Sequence, residues 1–221
     1  MFIPTMRVSR RLGFFFIAGL ALAHAAAADL PAIALPAPNM SGGKPLMTAL
    51  KERQSIREFS SQPLAAQELS DLLWAGFGVN RPEIDHRTAP STMNMQAIDL
   101  YVVRVDGVYL YEAKPHELRQ VATGDFRPKT GGKAELQRAP VILILVADHG
   151  RMTKAKPETR DFYAAIDAGF ICQNVYLYCA SAGLATVVHE LERPPLAQAM
   201  NLRPEQKIVI AQSVGYRGPG R

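Results

Sequence analysis

The sequence predicts an α+β domain in which a mixed, mostly antiparallel sheet is flanked by helices. Residues 141–147 form a continuous apolar run rich in β-branched side chains, which is typical of a buried central strand. Residues 100–105 and 108–111 are joined by Asp106-Gly107, a dipeptide typical of the tight turn of a β-hairpin. Residues 159–182 form the longest helical segment of the chain. A tight hairpin makes its two strands antiparallel, and antiparallel strands combined with helices favour the α+β class.

The remaining elements follow from local patterns. Residues 46–53 place apolar side chains at helical spacing, which predicts a helix. Residues 65–75 carry a stripe of leucines and predict a second helix, which we expect Gly76 and Gly78 to end. Residues 207–214 predict a further strand.

The long helix also predicts an assembly. The second half of residues 159–182 has almost no polar face, and a helix that is apolar all round is buried on every side. In a chain this small, that burial requires a second subunit as well as the sheet. The sequence therefore predicts a homodimer.

The first 28 residues have the pattern of a secretory signal peptide. Arg7, Arg10 and Arg11 precede an uncharged apolar run over residues 12–23, and small residues follow up to Ala28. We expect cleavage after Ala28, export to the periplasm, and no membrane span in the mature chain. The adjacent arginines suggest twin-arginine export, and an uncleaved N-terminal anchor is the alternative.

Composition divides the rest of the chain and excludes one class of partner. Residues 29–45 contain four prolines and predict a flexible or extended leader, followed by a single domain over residues 46–221. Residues 1–28 contribute three arginines and no acid, so removing them lowers the net charge from +5 to +2. No sustained basic stripe remains, which argues against nucleic acid as a partner.

The two cysteines do not predict a disulfide. Cys172 and Cys179 lie seven residues apart in a predicted helix, which separates their α-carbons by about 10.5 Å. A disulfide needs less than about 7 Å, so both are interpreted as core residues; a symmetric bond across a dimer is the alternative. The chain also lacks C-x-x-C, H-E-x-x-H and G-x-G-x-x-G, so we expect no metal site, redox dithiol or Rossmann fold.

Arg53, Ser55 and Arg57 form the first candidate binding motif. They occupy every second position of one segment, and such positions point the same way in an extended chain. Two guanidinium groups and a hydroxyl that converge in this way are suited to one phosphate. The alternative is a solvated charge cluster in which the arginines pair with Glu52 and Glu58.

A second motif follows Pro90. Ser91, Thr92, Asn94 and Gln96 are short hydrogen-bonding side chains of the kind that could bind a sugar-alcohol chain or the polar edge of a ring. For the two hydroxyl residues, a helix cap after Pro90 is the alternative. A third segment, residues 183–188, reads G-L-A-T-V-V at the end of the long helix.

The order R-x-S-x-R-x-F, P-S-x-x-N-x-Q and G-L-A-T resembles the family of nitroreductases that depend on flavin mononucleotide (FMN). The resemblance runs from about residue 46 to residue 216. It implies intertwined homodimers with FMN at the subunit interface. It assigns the FMN phosphate to Arg53, Ser55 and Arg57. It assigns the ribityl chain and the ring, in part from the other subunit, to Ser91, Thr92, Asn94 and Gln96.

The same resemblance extends the cofactor set beyond the motifs. Residues 187–191 match the segment that lays backbone over the flavin ring, which adds His189 and Glu190. The tail that carries basic residues to the phosphate in this family is short here, and Arg217 is the candidate within it, with Arg221 as the alternative. The resemblance implies chemistry centred on the flavin, with no catalytic side chain and no metal.

The function predicted from the sequence is an exported FMN-dependent oxidoreductase. It would take electrons from a reduced donor, NAD(P)H or another, and pass them to a small organic acceptor such as a nitro compound or a quinone. The alternatives are a flavin-binding or interaction protein without turnover, and a member of the fold that binds no flavin. Thiazoline or oxazoline dehydrogenases and the branch that degrades its own flavin are alternatives within the fold.

Overall fold

The computed structural model describes residues 32–131 and 133–219, which form a seven-stranded sheet with helices on both faces and a separate two-stranded hairpin. In chain order the elements are β1 (Ala32–Ala34), α1 (Leu46–Glu52), α2 (Ala66–Phe77), β2 (Val79–Arg81), β3 (His86–Arg87), β4 (Ile98–Arg104), β5 (Gly107–Glu112), β6 (Glu117–Thr123), α3 (Ala134–Gln137), β7 (Val141–Asp148), α4 (Arg160–Ala182), β8 (Ala185–His189), α5 (Arg193–Ala199) and β9 (Gln206–Gly215). The sheet order is β1-β6-β5-β4-β7-β9-β8, and each of these pairings is antiparallel. The predicted α+β class is confirmed.

Strand β7 is the centre of the core. It pairs with β4 and β9, and all eight of its residues are buried. Because side chains alternate along a strand, Leu143 and Leu145 join the core under α2 and α4, while Ile142 and Ile144 join the core under α3 and α5. The predicted central strand is confirmed.

Helix α4 carries one buried face and one open apolar face. Its buried residues include Ala164, Ile171 and Val175, and it ends at Gly183, whose φ of 76° is the left-handed conformation common at helix ends. On the other face Phe162 is 63% exposed and Phe170 is 45% exposed. The predicted helix is confirmed, and the single chain leaves aromatic side chains on it uncovered. The homodimer stays a prediction.

Gly107 and Gly76 allow close packing, whereas the sequence assigned Gly107 to a turn and Gly76 to the end of a helix. Arg104 pairs with Gly107, so the hairpin turn consists of the two residues between them and Gly107 already belongs to β5. A Cβ on Gly107 would lie 2.6 Å from the Ala122 carbonyl oxygen of β6, so the close strand approach requires glycine. Helix α2 likewise runs through Gly76, which approaches Val175 of α4, and ends only at Gly78.

The segment predicted as a flexible or extended leader is extended and packs on the sheet and on α2. Strand β1 pairs with β6 at the edge of the sheet. The Lys44 amide donates to Ser181 Oγ at 2.8 Å, which ties the end of the leader to α4. The predicted signal peptide lies outside the described residues, and the division of the chain at residues 28 and 45 stays a prediction.

His116 links the leader to the core through a defined proton arrangement. Ser70 Oγ donates to the Pro36 carbonyl at 2.6 Å, so the His116 Nε2 atom, 2.7 Å away, donates to Ser70 Oγ. His116 Nδ1 then accepts from the Tyr111 hydroxyl at 2.9 Å. The neutral ring therefore satisfies every partner, and burial lowers the pKa of His116 below its usual value.

We expect the free energy of unfolding to fall on acidification below about pH 6.5, the usual pKa of histidine in an unfolded chain. Between that value and the lowered pKa of folded His116, the unfolded chain binds more protons, so stability decreases as pH falls. Because His116 has a positive φ of 53°, asparagine is the tolerated replacement. Urea unfolding at pH 5 and pH 7 should show a smaller pH effect in His116→Asn; an equal pH effect would contradict this role.

Two further features of the fold are the state of the two cysteines and the character of the helices. Cys172 and Cys179 are both buried thiols that form no disulfide, and burial raises the pKa of the Cys172 thiol to about 12. Both belong to the core, as expected. Among the described helices, none is long and apolar enough to cross a membrane.

Candidate functional site

The first and third sequence motifs lie side by side in the structure. The chain leaves α1 at Arg53, and the Ile56 amide donates to the Thr186 carbonyl of β8 at 3.0 Å. Phe59 then forms an isolated antiparallel bridge with Arg217 after the end of β9. The candidate phosphate segment thus runs between the start of β8 and the C-terminal segment, and Arg217 lies near its end.

Tyr176 of α4 joins these two motifs. Its hydroxyl is 2.9 Å from Ser55 Oγ and accepts a hydrogen bond from the Val188 amide at 3.0 Å. Its ring lies 5.2 Å from the Arg53 guanidinium carbon, a cation–π distance. The sequence motifs did not include Tyr176, which lies in the long helix seven residues before Gly183.

The charges of the first motif stay open to solvent. Among the described residues, neither Arg53 nor Arg57 forms an ion pair with a carboxylate, and Glu52 pairs instead with Lys44 at 2.6 Å. Arg57 is exposed and Arg53 is half-buried against Tyr176. Two guanidinium groups without acidic partners in the described chain are suited to an anionic group supplied by a ligand.

An apolar slot lies next to this cationic segment. It has a volume of about 440 Å³ and opens between α4 and β9, with Tyr176 and Val188 at one end. Small residues of α4 form one wall and apolar residues of β9 the other: Ala165, Ala168, Gly169, Cys172, Val209 and Ile210. A flat apolar ring fits such a slot, and an anionic tail on the ring would reach the neighbouring arginines.

The second motif is held by a buried carboxylate of α4. Asp167 is 1% exposed and accepts hydrogen bonds from Ser91 Oγ at 3.0 Å, from the Thr92 amide at 2.9 Å and from Thr92 Oγ1 at 2.8 Å. The alternative interpretation of these hydroxyls, a helix cap after Pro90, does not apply, since the one-turn helix Thr92–Asn94 has no side-chain cap at Ser91. Sequence reasoning missed Asp167, whose contacts span more than seventy residues.

The rest of the second motif is anchored from the opposite side. Arg87 Nε donates to Gln96 Oε1 at 2.8 Å, and Gln96 Nε2 donates to the Asp85 carbonyl at 2.7 Å. Asn94 is exposed, and its Nδ2 atom lies 3.0 Å from His86 Nε2. These side chains have partners inside the chain, and their contact with a cofactor stays a prediction.

Helix α4 separates the second motif from the other two. Asp167 and Tyr176 lie nine residues apart, about 13.5 Å along the helix and half a turn around it. A single chain therefore carries two half-sites on opposite sides of α4. One half-site comprises Arg53, Ser55, Arg57, Tyr176 and Val188, and the other comprises residues 90–96.

His189 and Glu190 occupy the end of β8. Nδ1 of His189 lies 2.9 Å from the Glu190 carbonyl oxygen, so it carries the proton. Nε2 lies 2.9 Å from Ser213 Oγ, which is also 3.3 Å from the Leu136 carbonyl oxygen. Burial lowers the pKa of His189, which favours this neutral ring. Glu190 forms an ion pair with Arg193 at 2.9 Å, and the hydrogen bond from Arg193 lowers its pKa. Both ring nitrogens of His189 are thus engaged within the chain.

The distribution of metal-ligating side chains is a further feature of the described residues. Over residues 32–131 and 133–219, no group of three or more histidine, cysteine, aspartate or glutamate side chains is arranged to hold a metal ion. The two half-sites and the apolar slot beside Tyr176 are the features that bear on cofactor binding.

Comparison with known proteins places this arrangement in a family. The Nitroreductase family profile matches residues 50–216, and the chain belongs to the nitroreductase family, whose members are oxidoreductases. It is 33% identical over 152 residues to a provisionally named nitroreductase of Methanocaldococcus jannaschii, covering 64% of this chain and 76% of that protein.

Solved structures agree with this assignment. A nitroreductase-like protein of Ralstonia eutropha superposes with a TM-score of 0.82 at 40% identity, covering 88% of this chain and 93% of that one. A protein of Desulfovibrio desulfuricans, solved in complex with FMN, has the same fold with a TM-score of 0.56 at 21% identity, covering 81% and 92% of the two chains.

Proposed function

We propose that this protein is an FMN-dependent oxidoreductase that binds its flavin between two copies of the chain. The observation that carries the proposal is the junction at Tyr176, whose ring lines the apolar slot and lies 5.2 Å from the Arg53 guanidinium carbon. Arg57 lies on the same segment, and neither arginine has an acidic partner in the described chain. FMN has a flat apolar ring and a terminal phosphate, which matches that combination. The FMN complex of the Desulfovibrio desulfuricans relative supports this choice of cofactor.

The two half-sites support a shared site in a homodimer. In one chain, residues 90–96 and the segment around Arg53 lie on opposite sides of α4. The exposed Phe162 and Phe170 give the same helix an uncovered apolar face suited to a second copy. A two-fold contact along α4 would bring residues 90–96 of one chain towards the arginines of the other.

The side chains of the two half-sites would then bind different parts of FMN. Arg53, Arg57 and Arg217 bind the phosphate, while Ser55 and residues 90–96 of the partner bind the ribityl chain. Tyr176 fixes Ser55 and the start of β8 relative to the slot. The end of β8, with His189 and Glu190, borders the ring. When bound, FMN supplies two-electron transfer from a reduced donor to an acceptor, so the protein contributes binding, orientation and charge.

The proposal also covers the electron donor, the electron acceptor and export. NAD(P)H is the nicotinamide donor that the family resemblance implies, and a nitro compound or quinone is the proposed acceptor. A signal peptide over residues 1–28 would deliver the enzyme to the periplasm, where little NAD(P)H is present. A different reduced donor would then serve the exported enzyme.

We expect the purified chain of residues 29–221 to show a flavin absorbance spectrum after incubation with FMN and gel filtration. Anaerobic addition of NADH, or of dithionite if NADH is not the donor, should bleach that spectrum, and a quinone should restore it. Bound flavin that dithionite bleaches but no quinone or nitroaromatic reoxidises would favour a flavin-binding protein without turnover. A colourless protein would contradict the proposal.

A further inference from the structure

Asp167 is a buried carboxylate whose partners are all neutral donors. Within the described chain it forms no ion pair, and its two oxygens accept from Ser91 Oγ, Thr92 Oγ1 and the Thr92 amide. A buried carboxylate without a cation is costly unless its hydrogen bonds are complete. Asp167 therefore holds residues 91 and 92 firmly, because moving them would leave the charge unsatisfied.

The segment that Asp167 holds has a strained backbone. Met93, Asn94 and Gln96 have φ values of 50°, 51° and 47°, in the left-handed region that disfavours side chains with a Cβ. Three such residues within four positions persist only where the surroundings over-determine them. Asp167 supplies this constraint from one side, and Arg87, through Gln96, supplies it from the other.

The tip of the strained segment is exposed in the single chain. Met93 is 44% exposed and Asn94 is exposed, although the residues on both sides of them are anchored. Gln96 closes the loop, since its amide donates to Ser91 Oγ at 2.8 Å. The segment is thus rigid at its base and open at its tip, as a surface that contacts a ligand in another subunit requires.

We propose that Asp167 is a positioning residue for the flavin site of the partner subunit. It touches no cofactor itself; it fixes residues 91–96 in the strained conformation that contributes to the neighbouring chain's FMN. This proposal rests on the proposed function, a flavin shared between two copies. It adds that a buried residue of α4 in one chain controls the FMN affinity of the site in the other chain.

Single variants test the positioning role first. We expect Asp167→Asn to raise the Kd for FMN at least about tenfold, because an amide cannot accept all three hydrogen bonds. Thr92→Val removes one donor while keeping the side-chain shape, so it should raise the Kd several-fold. This second variant provides the test if Asp167→Asn is too unstable to purify. Asp161→Asn is the matched control, because Asp161 lies on α4 with a side chain 76% exposed and should leave the Kd unchanged.

A mixed dimer separates positioning across the interface from a structural role. One chain carries Asp167→Asn and the other carries Arg53→Ala with Arg57→Ala, each with its own affinity tag. One of the two sites then combines intact arginines with an intact segment 90–96, and the other combines both defects. We expect one FMN per mixed dimer at the wild-type Kd, although neither homodimer binds at that affinity.

Each outcome assigns the failure to one statement. A mixed dimer with no wild-type-affinity site would show that Asp167 serves the site in its own chain, and it would overturn the proposal. Asp167→Asn and Thr92→Val homodimers that bind FMN as tightly as the wild type would also overturn it, while leaving the proposed function intact. A wild-type chain that binds no FMN would overturn the proposed function and this proposal with it.

Discussion

Replacing Arg53 and Arg57 together with alanine is expected to weaken FMN binding by at least about 100-fold. A hydrogen bond to a charged group contributes about 1.5–3 kcal/mol, and two arginines that bind one phosphate make at least two of them. In the described chain neither arginine has a carboxylate partner, so their removal leaves no buried acid unsatisfied and the fold should survive. Fluorescence titration of FMN into the apo-protein gives the Kd directly.

A charge-matched control separates phosphate binding from a general electrostatic effect. Arg104→Ala with Arg119→Ala removes the same number of positive charges from β4 and β6, where both arginines already pair with nearby acids. That variant should bind FMN with the wild-type Kd. If the Arg53 and Arg57 variant bound FMN equally well, the cationic segment would not be the phosphate site.

The second large effect is expected at the exposed face of α4. Phe162→Asp with Phe170→Asp should convert the proposed homodimer to a monomer and, with it, lower FMN affinity at least about tenfold. Both rings are largely exposed in the single chain, so the aspartates cost little within it. Across a dimer contact, the same charges would be buried without partners.

The control for this prediction is an equally exposed apolar residue far from α4. Val105 lies in the β4–β5 turn and is 59% exposed, so Val105→Asp should leave both the oligomeric state and the Kd unchanged. Circular dichroism confirms that each variant is folded. A dimeric aspartate variant would show that this face of α4 is not the dimer contact, and a monomer that binds FMN as the wild type does would place the flavin within one chain.

The sequence predicted those elements whose pattern is local. The central strand β7 was predicted because its apolar residues are contiguous in the sequence. Helix α4 was predicted because apolar residues occupy nearly every face of its second half. Both elements are confirmed. The first motif was predicted from three residues at every second position, and the structure places it beside the third motif.

The features that the sequence did not predict depend on distant contacts. Gly107 was assigned to a turn. In the structure it lies in β5, where the Ala122 carbonyl oxygen of the neighbouring strand leaves no room for a Cβ atom. Tyr176 and Asp167 were missed because their partners lie 121 and 75 or more residues away in the chain. Residues 29–45 contain prolines that argue against regular structure, yet strand β1 pairs there because β6 offers it an open edge.

The central claim is that two copies of the chain share each flavin site, and sedimentation velocity of the FMN-loaded wild type tests it most directly. Detection at both protein and flavin absorbance wavelengths reports the mass of the flavin-bearing species. Flavin is expected to sediment only with a dimer, at one FMN per chain. Flavin that sediments with a monomer at the same stoichiometry would contradict this claim.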